Sequence, residues 1–184
     1  LKSVIAASVL VVATAASANP VTVTVDLNPI NDAYTDTPLY TSGGNDNKVS
    51  FTLKTGTYSS ITGTTYAGEF EASANGGPSF AAYCYDLTQT LRASGTFNMT
   101  VEDLDNVARL FHVADFNGSD WSHDGVSSVQ TAALQLAIWE SKYDGLSTSN
   151  YSLTSGKLTF SGVGSNVSAQ AITYLKAAKA LTAG

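Results

Sequence analysis

One stretch, Ser127–Tyr143 (SSVQTAALQLAIWESKY), constrains the fold of this chain more than any other. Ser127 and Gln130 form a capping-box pattern at its start, and Asp144 and Gly145 predict the end of a helix. At about 100° per residue, one face of this helix is apolar along its length. That face consists of Val129, Ala132, Leu136, Trp139 and Tyr143. We therefore expect the helix to lie against the core.

Gln135 is a polar residue in the most apolar part of this helix, Leu134–Trp139. Leu134 and Ile138 add apolar surface on a second side, so we expect the helix to pack on more than one face. Gln135 lies at the margin of the main apolar face, one turn before Trp139. Because a buried carboxamide needs hydrogen-bond partners, the simplest interpretation is that Gln135 bonds to a neighbouring backbone group.

Cys84, in the segment FAAYCYDL, is the only cysteine in the sequence. A disulfide within the chain is therefore excluded, and the fold must rest on its apolar core alone. In an exported protein, a single cysteine indicates an intermolecular disulfide, a free thiol or special chemistry.

The composition is typical of a β-rich protein that works outside the cell. Charged residues make up only 13% of the 184 residues, hydrophobic residues make up 43%, and Gly, Ser, Thr and Asn are abundant. The net charge of -6 provides no basic patch to meet phosphates, which argues against nucleic-acid binding. The length fits one ordinary domain.

Residues 1–18 have the pattern of a secretory signal peptide. Lys2 gives a positive start, Val4–Val12 is an apolar run, and Ala16–Ala18 is a cleavage site of the A-x-A type. The apolar run is short and rich in Ala and Ser for a transmembrane helix, so we expect no membrane span in the mature chain; the alternative is an uncleaved N-terminal anchor. Cleavage near Ala18 predicts a secreted or cell-surface protein of a bacterium.

The rest of the chain predicts an α+β fold, built mainly as an antiparallel β-sheet or sandwich with two or three helices. Alternating patterns predict strands at Val21–Val25 and Lys48–Leu53, and further strands are predicted at Ser79–Leu87 and Lys157–Val163. Both sides of the Ser79–Leu87 strand are apolar, which indicates a central strand that is covered on both faces.

Two more helices are predicted besides the one that carries Gln135–Trp139. The first contains Leu104, Val107, Leu110 and Phe111 at helical spacing. The last runs over Ala169–Leu181, with Asn166 as its N-cap. Residues 19–184 are therefore predicted to form a single domain, with a C-terminal helical prop or stalk from about residue 165.

Other kinds of site fit the sequence less well. A cysteine hydrolase would pair Cys84 with His112 or His123, but no local signature surrounds the cysteine. The acidic loop Asp115–Asp120 does not match the calcium-loop pattern. The spacing of His and carboxylate residues indicates no metal site, and no phosphate-binding or dinucleotide motif predicts a cofactor.

Two segments together resemble the paired signature of bacterial surface thioester domains. The first is Tyr83–Leu87 (YCYDL), and the second is Leu134–Trp139 (LQLAIW), about fifty residues later. In that family, a cysteine thiol and a glutamine carboxamide condense into an internal thioester with loss of ammonia. The wider pattern is also similar to exported proteins of the PEP-CTERM sorting class, many of which carry this domain.

The resemblance implies that Cys84 and Gln135 are the thioester pair. It implies that Tyr83, Tyr85, Asp86 and Trp139 shield this pair or position an incoming amine. Such a domain captures amine groups on a protein or polysaccharide surface in a single turnover, as an adhesin and not as an enzyme. Two other readings stay open: a structural extracellular-matrix protein of the same fold without a thioester, and a cysteine hydrolase.

Overall fold

The computed structural model describes residues 22–25, 48–74, 79–88, 96–98, 105–115, 128–147 and 151–181. The predicted signal segment 1–18 and His123 lie outside these residues. The strands are β1 (Thr22–Val25), β2 (Lys48–Lys54), β3 (Ser60–Tyr66), β4 (Phe70–Ala74), β5 (Ser79–Ala82), β6 (Thr96–Asn98) and β7 (Leu158–Ser161). The helices are α1 (Asp105–Val113), α2 (Ser128–Tyr143) and α3 (Ser165–Ala180). The fold of the described residues is thus an α+β mixture, as predicted.

A three-stranded antiparallel sheet has the strand order β3-β2-β7. The central strand β2 alternates between buried and more exposed residues, and its buried side chains are Val49, Phe51 and Leu53. Phe51 pairs with Gly63 on one side and with Phe160 on the other. A Cβ atom at Gly63 would lie 2.8 Å from the Phe51 ring, so the missing side chain leaves room for that ring.

A four-stranded antiparallel sheet has the order β5-β4-β1-β6. The expectation of a central strand over Ser79–Leu87 was wrong: β5 ends at Ala82 and lies at the edge of this described sheet. The residues after it run along helices. Tyr83 packs on Phe111 of α1, and the Leu87 amide donates to Tyr143 of α2. Cover by helices therefore accounts for the apolar residues that follow β5.

Helix α2 is the most deeply buried element among the described residues. Every residue from Thr131 to Ser141 is buried, so the expected packing on more than one face is confirmed. The helix contacts α1, α3 and β7. Trp139 is fully buried and stacks on Phe160 of β7, with ring centroids 6.0 Å apart. This contact joins α2 to the three-stranded sheet.

Helix α3 begins before the predicted cap. Gly164 has an extended backbone at the N-cap position, and its carbonyl accepts the first helical hydrogen bond, from Ser168. Asn166 therefore lies inside the helix and does not cap it. The buried face of α3 includes Tyr174 and Leu175, and it packs against α2 and α1. Within the described ranges, no helix combines the length and the apolar character needed to cross a membrane.

Candidate functional site

The side chain of Gln135 contacts the backbone of Cys84 at two points. The Cys84 N–H donates to Oε1 of Gln135 at 2.8 Å, and Nε2 of Gln135 donates to the Cys84 carbonyl oxygen at 2.6 Å. Gln135 is 1% exposed and Cys84 is 8% exposed, so water barely reaches this pair. The structure thus brings the two predicted residues together from segments that are 51 positions apart.

These two hydrogen bonds fix the orientation of the Gln135 carboxamide. An N–H group needs an acceptor and a carbonyl needs a donor, so only one of the two amide orientations satisfies both groups of Cys84. The expected bond from Gln135 to a backbone group is therefore confirmed, although its partner is remote in sequence. The Cys84 thiol itself donates to the backbone carbonyl of Asp86 at 3.7 Å.

The carboxylate of Asp86 ties the Cys84 segment to the last turn of α2. Its Oδ1 accepts hydrogen bonds from the Thr88 backbone and hydroxyl and from the Tyr143 hydroxyl, at 2.6–2.9 Å. Its Oδ2 lies 2.9 Å from Nζ of Lys142. The Tyr143 hydroxyl also accepts from the Leu87 amide at 3.0 Å. The segment is therefore attached to α2 at Cys84 and again at 86–87.

The hydrogen bonds to Asp86 decide its charge. Burial opposes ionisation of this group, but the bonds from Thr88, Lys142 and Tyr143 outweigh burial and hold the pKa of Asp86 well below its ordinary value. Conversely, burial and the bond to the Asp86 carboxylate raise the pKa of Tyr143 well above its ordinary value. Near neutral pH the site therefore contains a fixed carboxylate and a neutral phenol.

Lys142 forms a cation–aromatic contact with Tyr85, the residue that follows Cys84. Its Nζ lies 4.0 Å from the centroid of the Tyr85 ring and 5.5 Å from that of Tyr143. Together with Asp86, these rings surround the ammonium group, and the Lys142 and Asp86 side chains are only 20% and 16% exposed. Of the predicted positioning residues, Tyr85 and Asp86 therefore lie in one cluster with Lys142 and Tyr143.

Tyr83 and Trp139 take part in other contacts. The Tyr83 hydroxyl donates to Oε2 of Glu69 at 3.2 Å, and its ring packs against Phe111 with centroids 5.9 Å apart. Burial, followed by the Glu69 charge, raises the pKa of Tyr83 well above its ordinary value. Trp139 stacks on Phe160, as described above. Both side chains thus support the core around the site.

The sequence reasoning missed Lys142 and gave Tyr143 only a packing role. A usable signal was present, because residues seven apart in a helix lie on the same face, two turns along the axis. Lys142 therefore lies on the same face of α2 as Gln135, two turns further along. The sequence pattern did not predict the path of the irregular segment 83–88, which brings Asp86 to this face.

Glu140 is a buried acid in the same helix. It is 2% exposed, and its Oε2 finds no hydrogen-bond partner among the described residues. Burial, with a further contribution from the nearby Asp144 carboxylate, raises the pKa of Glu140 to about 8. Asp144 itself accepts hydrogen bonds from the backbone amides of Lys157 and Leu158 at 2.6 and 2.8 Å. These contacts join the end of α2 to the start of β7.

Contacts among the described residues do not support the alternative sites, a cysteine hydrolase or a metal centre. His112 lies exposed in the last turn of α1, whereas Cys84 is buried. Among the described residues, no group of three His, Cys, Asp or Glu side chains could hold a metal ion. Comparison with known proteins gave no matching family model, no similar curated protein and no similar solved structure.

Proposed function

We propose that this protein captures amines covalently through an internal thioester between Cys84 and Gln135. The observation that carries the proposal is the two-point contact between the Gln135 carboxamide and the Cys84 backbone inside a buried site. The contact holds the Gln135 carboxamide against the residue that carries the thiol, in a buried environment where a thioester would be protected from hydrolysis.

In the first step the Cys84 sulfur attacks the Cδ atom of Gln135. A C–S bond forms and the C–N bond breaks, and the nitrogen leaves as ammonia with the proton of the thiol. Oε1 carries the developing negative charge, and the Cys84 N–H already donates to it at 2.8 Å. A donor that is in place before the reaction lowers the barrier without reorganisation. The bond from Nε2 to the Cys84 carbonyl holds the carboxamide plane during the attack.

In the second step a primary amine attacks the same carbon atom. A C–N bond forms, the C–S bond breaks, and one proton of the amine returns to the sulfur to give the Cys84 thiol. The product is an amide bond between Gln135 and the target. The protein ends the reaction in a changed state, so each molecule reacts once.

We propose that the protein is an exported bacterial surface or matrix protein and that its target is an amine-bearing protein or polysaccharide. We also propose that the three-stranded and four-stranded sheets form the two layers of a small sandwich. The structural reading is the second candidate, because the same two hydrogen bonds also satisfy buried backbone groups without any chemistry.

Intact-mass measurement tests the proposal. The purified mature protein should weigh one ammonia less than its sequence, and treatment with methylamine should add one methylamine. Cys84→Ala and Gln135→Ala should both show the full sequence mass and no adduct. Gln130→Ala is the matched control, since it removes a carboxamide from the same helix, and it should keep the ammonia loss.

The outcomes separate the candidate functions. A wild-type protein with full sequence mass, no adduct and a thiol that alkylates on unfolding would support the structural reading and overturn the thioester. A cysteine hydrolase would instead turn over ester or peptide substrates repeatedly and would lose that activity in His112→Ala or His123→Ala.

A further inference from the structure

Beside the Cys84 segment, the side chains of Tyr85, Asp86 and Tyr143 form an ammonium-binding cluster that holds the Lys142 ammonium. We propose that this cluster is a cation subsite for the target: it takes an ammonium group next to the amine that reacts, and Lys142 fills it in the free protein. The inference rests on the proposed function, which it extends by naming the substrate class. That class is a surface with closely spaced primary amines.

The cluster has the chemistry of an ammonium site. The Asp86 carboxylate lies 2.9 Å from Nζ of Lys142, and the Tyr85 ring lies beneath the ammonium at 4.0 Å. A carboxylate and an aromatic face together favour a cation that is partly withdrawn from water. Thr88 and Tyr143 hold the carboxylate from its other side, so its position does not depend on Lys142.

Lys142 is an exchangeable occupant of this cluster. Its side chain is 20% exposed, and its ammonium is carried on a flexible four-carbon stem. A target ammonium can therefore replace it, and the released Lys142 side chain can turn to solvent. The overall charge of -6 further favours the approach of a polycation.

The short chain between Cys84 and Asp86 keeps the subsite near the reactive pair. Asp86 follows Cys84 by two residues, which span at most about 7 Å of extended chain. One amine of a target can thus stay in the subsite as an ammonium while a neighbouring amine attacks Gln135. The bound ammonium takes no part in bond making, so the second step keeps its atom balance: the attacking amine gives one proton to the Cys84 sulfur.

Competition between two small amines tests the subsite. Cadaverine and pentylamine have the same five-carbon chain, but cadaverine carries a second amino group. The ratio of their capture rates, measured by intact mass, therefore gives the effect of the second positive charge. Lys142→Ala should raise this ratio by about two- to fivefold, the range that a partly exposed ion pair is worth. Asp86→Asn should abolish the preference, and added salt should reduce it in the wild type.

Lys176→Ala is the matched control, because it removes an exposed lysine from α3 and the same unit of charge. Its ratio should equal that of the wild type. An equal rise in Lys176→Ala and Lys142→Ala would attribute the effect to net charge and overturn the subsite. A ratio that does not change in Lys142→Ala, in a protein that does capture amines, would overturn the subsite and leave the proposed function intact.

A binding measurement tests the subsite without the covalent step. In the Cys84→Ala, Lys142→Ala variant, cadaverine should cause saturable NMR shifts at the Leu87 and Thr88 amides, which bond to the cluster. Adding Asp86→Asn should remove these shifts. Saturable binding in a protein whose wild type shows no ammonia loss would support the cation subsite and overturn the thioester, whereas absence of binding would overturn the subsite.

Discussion

The Gln135 side chain and the Cys84 backbone form a closed pair of hydrogen bonds between segments that are 51 positions apart. The pair uses both polar ends of the carboxamide and both backbone groups of Cys84. It uses neither the cysteine sulfur nor the Cβ atom. The structural role of this contact can therefore be separated experimentally from any chemistry of the thiol.

Gln135→Met should lower the free energy of unfolding more than Cys84→Ala. The methionine keeps much of the volume but removes the Gln135 hydrogen bonds to the Cys84 N–H and carbonyl; each lost bond costs about 1–3 kcal/mol, so we expect a loss of about 2–6 kcal/mol. Cys84→Ala keeps both hydrogen bonds. Because neither variant can form a cross-link, urea unfolding compares them directly, and equal losses would contradict the structural role of the pair.

Tyr143→Phe should weaken the attachment of the segment 84–88 to α2. The hydroxyl accepts from the Leu87 amide and donates to Asp86, so its removal orphans one buried N–H at a cost of about 1–3 kcal/mol. Hydrogen exchange at the Leu87 amide should become faster. Tyr58→Phe removes a fully exposed hydroxyl and should leave both unfolding and exchange unchanged. Unchanged protection of Leu87 in Tyr143→Phe would disprove the attachment.

Glu140 should make stability depend on pH. Its pKa is about 8 in the folded protein and ordinarily 4.5, so between these values the folded state keeps a proton that the unfolded state has lost. The free energy of unfolding should therefore fall as the pH rises from 4.5 to about 8. Glu140→Gln should remove this contribution, and urea unfolding across that range measures it. Asp105→Asn, at an exposed carboxylate of α1, is the control and should show the wild-type dependence of unfolding free energy on pH. If Glu140→Gln also showed the wild-type dependence, the prediction would be refuted.

Gly156→Ala should destabilise the turn before β7. Gly156 has a φ of +119°, and a Cβ atom there would lie 2.6 Å from Oδ1 of Asp144, which holds the turn. We expect a loss of about 1–3 kcal/mol in thermal or urea unfolding. Gly164→Ala is the control, since no atom lies within 4 Å of its added Cβ, and it should stay within about 1 kcal/mol of the wild type. Equal effects at both positions would contradict this account.

The sequence was sufficient to predict α2, because its capping residues and its period agree. The pairing of Cys84 with Gln135 followed from a two-part motif, since no local pattern indicates that residues so far apart will meet. The strand over Ser79–Leu87 was predicted too long for a physical reason. A segment with two apolar sides is expected to be buried, but this pattern does not distinguish cover by a neighbouring sheet from cover by helices.

The Asp86 cluster was beyond sequence reasoning. Asp86 holds its own turn through Thr88, but its contacts with Lys142 and Tyr143 depend on how an irregular segment lies along a helix. Irregular segments follow no hydrophobic period, so their path is set by tertiary contacts. The predicted start of α3 was wrong for a related reason. Gly164 and Asn166, two positions later, compete for the N-cap position, and the extended backbone at Gly164 decides between them.

The unbroken burial of α2 from Thr131 to Ser141 has a consequence for biosynthesis. Two of its covering elements, β7 and α3, come from residues 158–180, which the ribosome adds after the helix itself. A nascent chain that has just completed α2 therefore presents its apolar sides to the surroundings until these later residues emerge. Chaperone contact during synthesis should accordingly be concentrated on this helix.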